Sequence, residues 1–387
     1  MLKEKILLVH NYYQIPGGED TVFQNELKML KDNGHEVVTY TRNNKEINGY
    51  NILKKVLLPF KFIFSFKTYR DIKKIIKKEN IDIVHVHNTL ALISPAVFYA
   101  AKKMNVPVVQ TIHNFRNVCP NGVLYRDNKI CEDCINKGLH CSIKHSCYRN
   151  SKLQTISLTN SLRLNRLFGM YKFVNFICLT DFNKDKLLTI KSIPEKHVFV
   201  KPNFVTTNID EIVPNNERLN QVVYVGRLDK LKGVDKLIDA WKNIDDTKLI
   251  ICGTGPLKDY VEEATKNNTN IEYRGFVDHD SAMKLISESL SVILPTTWYE
   301  GFPMTIVESI SLGTPIIVSN VGNSKDIIKR IDKNLVLKEI NDGEIKRIIS
   351  YIKNNDINNS LKDYYNNNFS IEKNYRMLID IYNSIKK

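Results

Sequence analysis

The sequence predicts two doubly wound α/β domains in one chain. Three observations carry this: short β-branched runs alternate with helical segments, the alternation halts in a Pro-, Asn- and Thr-rich stretch at 201–216 and then restarts, and the charge balance changes across that stretch. Length agrees, since 387 residues suit two or three domains of about 150 residues each. A composition of 43% hydrophobic and 25% charged residues is ordinary for a globular chain. It excludes a disordered, collagenous or small disulfide-bonded protein.

The elements follow in order. Ile6–Val9 reads as a buried strand, Thr21–Lys31 as a helix ended by Asn33-Gly34, and Val37–Tyr40 as the next strand. Ile81–Val86, a helix near Ser94–Lys103, and Val106–Ile112 continue the rhythm. After the break, strands are expected at Val222–Val225, Leu249–Cys252, Ile271–Tyr273, Val292–Leu294 and Ile316–Val318. Helices are expected at Val234–Trp241 and Met304–Leu312, the latter stopped by Gly313-Thr314-Pro315. The tail carries Ile371, Tyr375, Leu378 and Ile379 at helical spacing. The expected division is a domain over 1–200, a second over 201–369 and a C-terminal helix over 370–387. Ligands of such sheets sit at the carboxyl ends of strands, so a cleft between the domains is the expected site.

Residues 1–200 hold 31 Lys and Arg against 16 Asp and Glu, a net of +15, and residues 201–387 are near neutral. The basic half therefore attracts something anionic: nucleic acid, a membrane face or a phosphorylated substrate. The first apolar run, Ile6–Val9, is short for a secretory leader. No stretch reaches the roughly 17–25 apolar residues that span a bilayer. The chain is expected in the cytoplasm.

No phosphate-binding loop with Gly-Lys-Ser/Thr occurs, and Lys258 stands where the third glycine of a dinucleotide fingerprint would follow Gly253-Thr254-Gly255. The informative segment is Glu300-Gly301-Phe302-Pro303-Met304-Thr305 with Glu308. Glu300 falls just past a strand end, and a helix starting near Met304 carries Glu308 one turn in. Pro303 has no N–H, so phosphate-binding amides come from Met304 and Thr305. From spacing alone, Glu300 reads equally as a loop charge and Glu308 as a solvated helix residue. In a second segment, Gly226-Arg227-Leu228 with Lys232-Gly233, Arg227 and Lys232 lie at a strand's carboxyl end, where paired cations balance a leaving diphosphate.

Taken together with Gly253-Thr254-Gly255-Pro256, Glu300 to Glu308 and Gly313-Thr314-Pro315, these segments resemble the retaining glycosyltransferases of family 4, which have the GT-B fold. Pro16-Gly17-Gly18 resembles the family's glycine loop near the donor phosphates. Asp82-Ile83-Val84-His85-Val86-His87 and Thr111-Ile112-His113-Asn114 resemble its two acceptor-side strand ends. Asn203-Phe204-Val205-Thr206, Gly322-Asn323 and Asp326 depart from the usual pattern, which bears on the sugar and base bound.

The resemblance implies an acceptor-side domain over 1–200 and a nucleotide-sugar donor domain over 201–369. It implies a hexosyltransferase that moves a sugar from a nucleoside diphosphate to a hydroxyl acceptor, with retention, no cofactor and no catalytic metal. Glu300 and His113 are the implied catalytic residues. Gly17, Gly18, Arg227, Lys232, Met304, Thr305 and Glu308 are the implied donor-binding residues. His85 and His87 read as structural.

Two features stand outside that pattern. Cys119, Cys131, Cys134, Cys141 and Cys147 fall in a loop-rich insertion over 119–147 that has little core of its own. A structural zinc held by Cys119, Cys131, Cys134 and Cys147 is expected there; the alternative is reduced, partly buried thiols. Residues 53–78 carry Leu53, Val56, Leu57, Phe60, Ile63 and Phe64 at helical spacing, with nine basic residues against Asp71. This pattern reads as docking on an anionic membrane, with Phe60, Ile63 and Phe64 inserting; the alternative is a helix packed on the sheet.

The expectation is a peripheral enzyme on the inner membrane face that uses a lipid-linked glycan acceptor in surface-polysaccharide synthesis. The competing readings are a nucleotide-sugar 2-epimerase on the same architecture and a basic nucleic-acid-binding protein. No recognisable nucleic-acid module supports the latter.

Overall fold

The computed structural model describes residues 4–14, 17–206, 213–266 and 268–386. Pro16 and part of the 201–216 break lie outside them. The chain divides into two compact units: Met1–Arg126, Cys131–Pro202 and Asn374–Lys387 in one, and Asp127–Ile130 and Asn203–Lys373 in the other.

The first unit is built on strands β1 (Lys5–Tyr12), β2 (Glu36–Asn43), β3 (Ile83–Val86) and β4 (Val108–Ile112). Two-residue strands β5 (Tyr125–Arg126) and β6 (Lys129–Ile130) follow in the cysteine-rich segment, β6 being grouped with the second unit, and the first unit continues with β7 (Asn175–Cys178) and β8 (Val198–Val200). The sheet order is β2-β1-β3-β4-β7-β8, all parallel. Leu7 pairs with Val38 on one side and Val84 on the other. Ile6 to Val9 are fully buried, as expected for an apolar run covered on both faces. Its helices are α1 (Gly18–Asp32), α2 (Ile52–Ile63), α3 (Phe66–Glu79), α4 (Ala96–Lys103), α5 (Asp133–Asn136), α6 (His140–Lys144), α7 (Lys152–Leu167) and α8 (Asp181–Leu188).

The second unit carries β9 (Leu219–Val225), β10 (Lys248–Cys252), β11 (Ile271–Gly275), β12 (Ser289–Leu294), β13 (Ile316–Ser319) and β14 (Val336–Leu337). The order β11-β10-β9-β12-β13-β14 is the doubly wound order of dinucleotide-binding sheets. Helices α9 (Val234–Trp241), α10 (Lys258–Lys266), α11 (His279–Glu288), α12 (Met304–Ser311), α13 (Gly322–Lys329), α14 (Asp342–Asn354) and α15 (Asn358–Asn368) cover it.

The last helix, α16 (Ile371–Ile385), is grouped with the first unit from Asn374 onward. Its buried face is Asn374, Leu378, Ile381 and Tyr382, so Ile371, Tyr375 and Ile379 are not its core positions. Tyr375 bonds His35 and Tyr382 bonds His85.

The 53–78 segment differs most from expectation. It is two helices broken at Ser65, which caps α3 by accepting from Thr68 N–H. Pro59 sits inside α2 and is buried with Phe62, against the α7 hydroxyls: Ser157 donates to Pro59 O, and Ser161 to Phe62 O at 2.9 Å. The other face of α2 is bare: Ile52, Leu53, Val56 and Phe60 are 82%, 66%, 58% and 64% exposed. Ile63 and Phe64 are half-buried, and the Phe64 ring lies against Tyr69 and Tyr99. They do not belong to the bare face. Among the described residues no helix is long and apolar enough to cross a membrane.

Candidate active site

Strand order fixes where each unit can bind a ligand. A crevice opens where neighbouring strands send their chains to opposite sides of the sheet. In the second unit those strands are β9 and β12, and the loops leaving them carry Arg227, Lys232 and Glu300.

Glycine packing brings the loops together. A Cβ at Gly253 would sit 1.8 Å from Gly226 O, one at Gly255 2.4 Å from Leu228 O, and one at Gly233, whose φ is +71°, 2.0 Å from Pro295 O. These glycines serve loop-on-loop contact. Asp229 then accepts from Lys232 N–H at 3.0 Å and shapes the short turn Lys230–Lys232.

Glu300 is buried. Its Oε1 accepts from Lys232 Nζ at 2.7 Å, Thr296 Oγ1 at 3.1 Å and Trp298 Nε1 at 3.1 Å. Its Oε2 has no partner among the described residues and is the oxygen left for a ligand. Asn323 holds the loop from below, donating to Glu300 O at 2.6 Å and Gly301 O at 2.8 Å. A Cβ on Gly322, whose φ is +48°, would meet the Tyr299 ring at 2.8 Å. The departure Gly322-Asn323 thus has a structural use.

Met304 and Thr305 open α12, where the first N–H with an acceptor in the turn is Ile306, 3.1 Å from Pro303 O. The preceding amides point outward from a helix start, a natural anion site. Burial pushes the Glu308 carboxyl up, against the pull of His279, whose Nδ1 is 4.0 Å away. Arg227 is two-thirds exposed and pairs with Asp229 at 3.1 Å.

In the first unit the corresponding place lies between β1 and β3. Gly17 caps α1 in extended conformation, its N–H donating to Asp20 Oδ2 at 2.9 Å. Nothing lies within 4 Å of a Cβ built on Gly17 or Gly18, so no neighbour within the fold demands glycine there. Glu19, next to Gly18, accepts from Asn114 Nδ2 at 3.4 Å. This contact brings the end of β4, and with it His113, beside the start of α1.

His85 and His87 point to one face of β3, because alternate residues share a face. Both are buried, and Glu26 Oε1 lies 3.0 Å from His85 Nδ1 and 3.2 Å from His87 Nε2. Burial works against ionisation of Glu26, but Lys201 and the two histidines outweigh it and hold the carboxyl well below the usual range. His113 is half-buried and stacks on His87 with ring centres 5.2 Å apart. Burial and His87 hold its pKa well below 6.5.

All of the expected cysteine ligands carry free thiols. Burial, then Cys119, Cys147 and Cys141, push Cys134 up to about 12. The soft thiol donors are thus gathered in one neighbourhood. Among the described residues, however, only Glu26, His85 and His87 place three ligand atoms within 4.8 Å of one another.

The fold brings Lys232 and Glu300 into contact, while Glu308 lies near His279. The sequence did not single out Thr296, Trp298 and Asn323, which hold Glu300 in place, or Glu26 and Lys201, which lie under the histidines. Only the departure at Asn323 left a trace in the sequence.

Residues 16–209 match the sequence model of Glycosyltransferase Family 4, and residues 205–386 that of Glycosyl transferases group 1. An uncharacterized glycosyltransferase of Methanocaldococcus jannaschii is 26% identical over 96% of this chain and 96% of its own length. A 42.6 kDa protein in the cps region of Klebsiella pneumoniae is 24% identical, covering 82% of this chain and 79% of its own. The crystal structure of a glycosyltransferase from Rickettsia africae matches with TM-score 0.67 at 20% identity, covering all of both chains. Anabaena HepE, solved with UDP and glucose, matches with TM-score 0.64 at 15% identity over 98% of this chain and 100% of its own. These likenesses establish the GT-B fold.

Proposed function

The chain belongs to glycosyltransferase family 4, and from that premise we propose that it is a retaining transferase moving a hexose from a nucleoside diphosphate to a lipid-linked glycan during surface-polysaccharide synthesis. The observation that carries this reading is Glu300. It is a buried carboxylate with one oxygen saturated by three donors and the other open, beside the start of α12. Such a group accepts hydrogen bonds from the hydroxyls of a sugar whose phosphates rest on the helix amides.

Departure of the diphosphate is the step that needs help. Lys232, Arg227 and the amides of Met304 and Thr305 offset the charge that develops on it, a preorganised electrostatic contribution that calls for no metal. Glu308 accepts from the ribose hydroxyls. Gly17 and Gly18 let the backbone approach the donor phosphates, which fits the open space around them. His113 contacts the sugar. The departing phosphate takes the proton of the acceptor hydroxyl, and the new glycosidic bond forms on the face that the diphosphate leaves.

A zinc ion held by Cys119, Cys131, Cys134 and Cys147 supplies a structural staple for the insertion. The bare apolar face of α2, ringed by lysines, docks on an anionic inner-membrane surface, where the lipid-linked acceptor resides. That face favours the transferase over a 2-epimerase, which needs no membrane.

The deciding experiment screens nucleoside diphosphate sugars for thermal stabilisation of the protein and for slow hydrolysis. One or a few should stabilise strongly and be hydrolysed, with hydrolysis lost in Glu300→Gln. Stabilisation by none would overturn the reading.

A further inference from the structure

Glu26, His87 and His113 form a chain of contacts from the buried middle of α1 to the loop after β4. Glu26 Oε1 is 3.2 Å from His87 Nε2, and His87 Nδ1 is 3.0 Å from His113 Nε2. The proton positions along this path follow from its first member. An ionised carboxylate only accepts hydrogen bonds, so His87 Nε2 carries the proton. His87 Nδ1 is then a lone pair, and the nitrogen facing it, His113 Nε2, carries the next proton. The last atom, His113 Nδ1, is left as a lone pair with no partner among the described residues. We propose that Glu26, acting through His87, is a positioning residue that locks His113 in its Nε2–H tautomer and so presents His113 Nδ1 as an acceptor for a sugar hydroxyl.

Three observations support the lock. Lys201 Nζ lies 3.1 Å from Glu26 Oε2, which keeps the carboxylate charged inside the fold. Burial pushes His87 down to about 4 and holds His113 well below its ordinary value, so neither ring becomes a cation at neutral pH. His87 and His113 both border one small cavity together with Asn88 and Asn114. The cluster Glu26, His85 and His87 also has the spacing of a metal site. Here its ligand atoms are already engaged. Lys201 supplies the cation, His85 is bracketed by the Tyr382 and Thr111 hydroxyls at 2.7 and 2.8 Å, and His87 meets His113.

The part of this inference that concerns the sugar rests on the function proposed above; the part that concerns the tautomer does not. The test uses full-length protein with isotope-labelled histidine and long-range proton–nitrogen correlation spectra at neutral pH, with His113→Gln identifying the His113 signals. Wild type should show His113 protonated on Nε2. In Glu26→Gln, Lys201 retains the amide oxygen and turns the amide NH2 toward the histidines. His87 and His113 should then both switch to the Nδ1–H form, converting the acceptor at the site into a donor. In the same variant kcat should fall about tenfold to a hundredfold with little change in donor KM, the range expected for an unmatched polar group. His113 protonated on Nδ1 in wild type overturns the proposal, even if Glu26→Gln fails to fold. An unchanged His113 tautomer in folded Glu26→Gln overturns it too. The predicted switch with undiminished kcat leaves the lock standing and overturns the assignment of His113 to the sugar.

Discussion

Lys232 Nζ and Glu300 Oε1 are 2.7 Å apart, and this contact ties the loop after β9 to the loop after β12 at the point where the sheet reverses its winding. The ammonium is a quarter exposed and the carboxylate almost enclosed. The pair therefore holds Glu300 still while leaving Lys232 a solvent side on which to meet phosphate. Arg227 is arranged differently, paired among the described residues with Asp229 at the surface, so it can swing to an arriving anion.

The two carboxylates should separate kinetically. Glu300→Gln removes the charge that Lys232 faces and the open acceptor oxygen. It should lower kcat by on the order of 10²- to 10³-fold with donor affinity largely kept. Glu308→Ala should weaken donor binding by roughly 1–3 kcal/mol, the cost of an unmet ribose hydroxyl. Steady-state kinetics paired with calorimetric titration of the donor measures both. Full activity in either variant removes that residue from the site.

If the cations offset the diphosphate charge, turnover should survive EDTA whenever the cysteine segment stays intact. Arg227→Ala should lose on the order of 10²-fold in kcat, as other electrostatic partners of a transition state do. Strict dependence on added magnesium or manganese would count against this mechanism.

How much of this was legible in the sequence depends on which signal each part left. Strands such as Val222–Val225 announce themselves because burial on both faces makes them continuously apolar, and the glycines at 226, 233, 253 and 255 mark the loop contacts. Helix α7 left no such signal. Its buried positions include Thr155, Ser157, Thr159 and Ser161, which bond carbonyls or, for Thr159, the Ser142 hydroxyl instead of packing as hydrocarbon, so hydrophobic periodicity is absent. The support of Glu300 was hidden for another reason: Thr296 and Asn323 are ordinary residues until folding brings them to one carboxylate. The stripe in α2 left a helical period in the sequence. The reading of an outward stripe holds for Leu53, Val56 and Phe60, which are exposed, but not for Ile63 and Phe64, which are half-buried, because periodicity alone does not show where a helix ends.

Acid should destabilise the first unit through its histidines. The His87 pKa falls from an ordinary 6.5 to about 4 on folding. Between those values the unfolded chain binds more protons than the folded one, so stability is lost as pH falls through that window. For His87 the full loss is of order 3 kcal/mol. The urea midpoint should drop between pH 6.5 and about 4, and His87→Gln should flatten that drop without abolishing it, because His113 shares the effect. A midpoint constant over that range in wild type would mean that the two rings bind protons equally well in both states.

Zinc analysis addresses the cysteine segment. Protein purified without chelator should carry about one zinc per chain if four thiolates form a structural site. Cys134→Ser should release it and lower the melting temperature, since the binding free energy of a structural metal is folding free energy. Zinc-free protein with an unchanged melting curve would show that these are simply reduced thiols.

The bare face of α2 gives the last prediction. Ile52, Leu53, Val56 and Phe60 face outward, Lys54 and Lys55 are exposed beside them, and Leu153, 62% exposed, opens the adjacent helix α7. Exposed apolar patches of this kind mark an interaction site. The surrounding charge selects its occupant, because nine basic residues against one acidic over 53–78 repel a cationic partner and attract anionic lipid by roughly 1 kcal/mol each near the surface. Co-sedimentation with liposomes should rise with anionic lipid and fall as salt shortens the screening length. Val56→Asp with Phe60→Asp should abolish binding, since both side chains are already in water and their loss costs the fold little. Ile63→Asp should instead damage folding, because Ile63 is half-buried. Charge reversal at Lys73, Lys74, Lys77 and Lys78 should weaken binding while leaving hydrolysis of a soluble donor intact. Equal binding to neutral and anionic liposomes would remove the electrostatic part of this argument, and binding to neither would remove the membrane itself as the partner of α2.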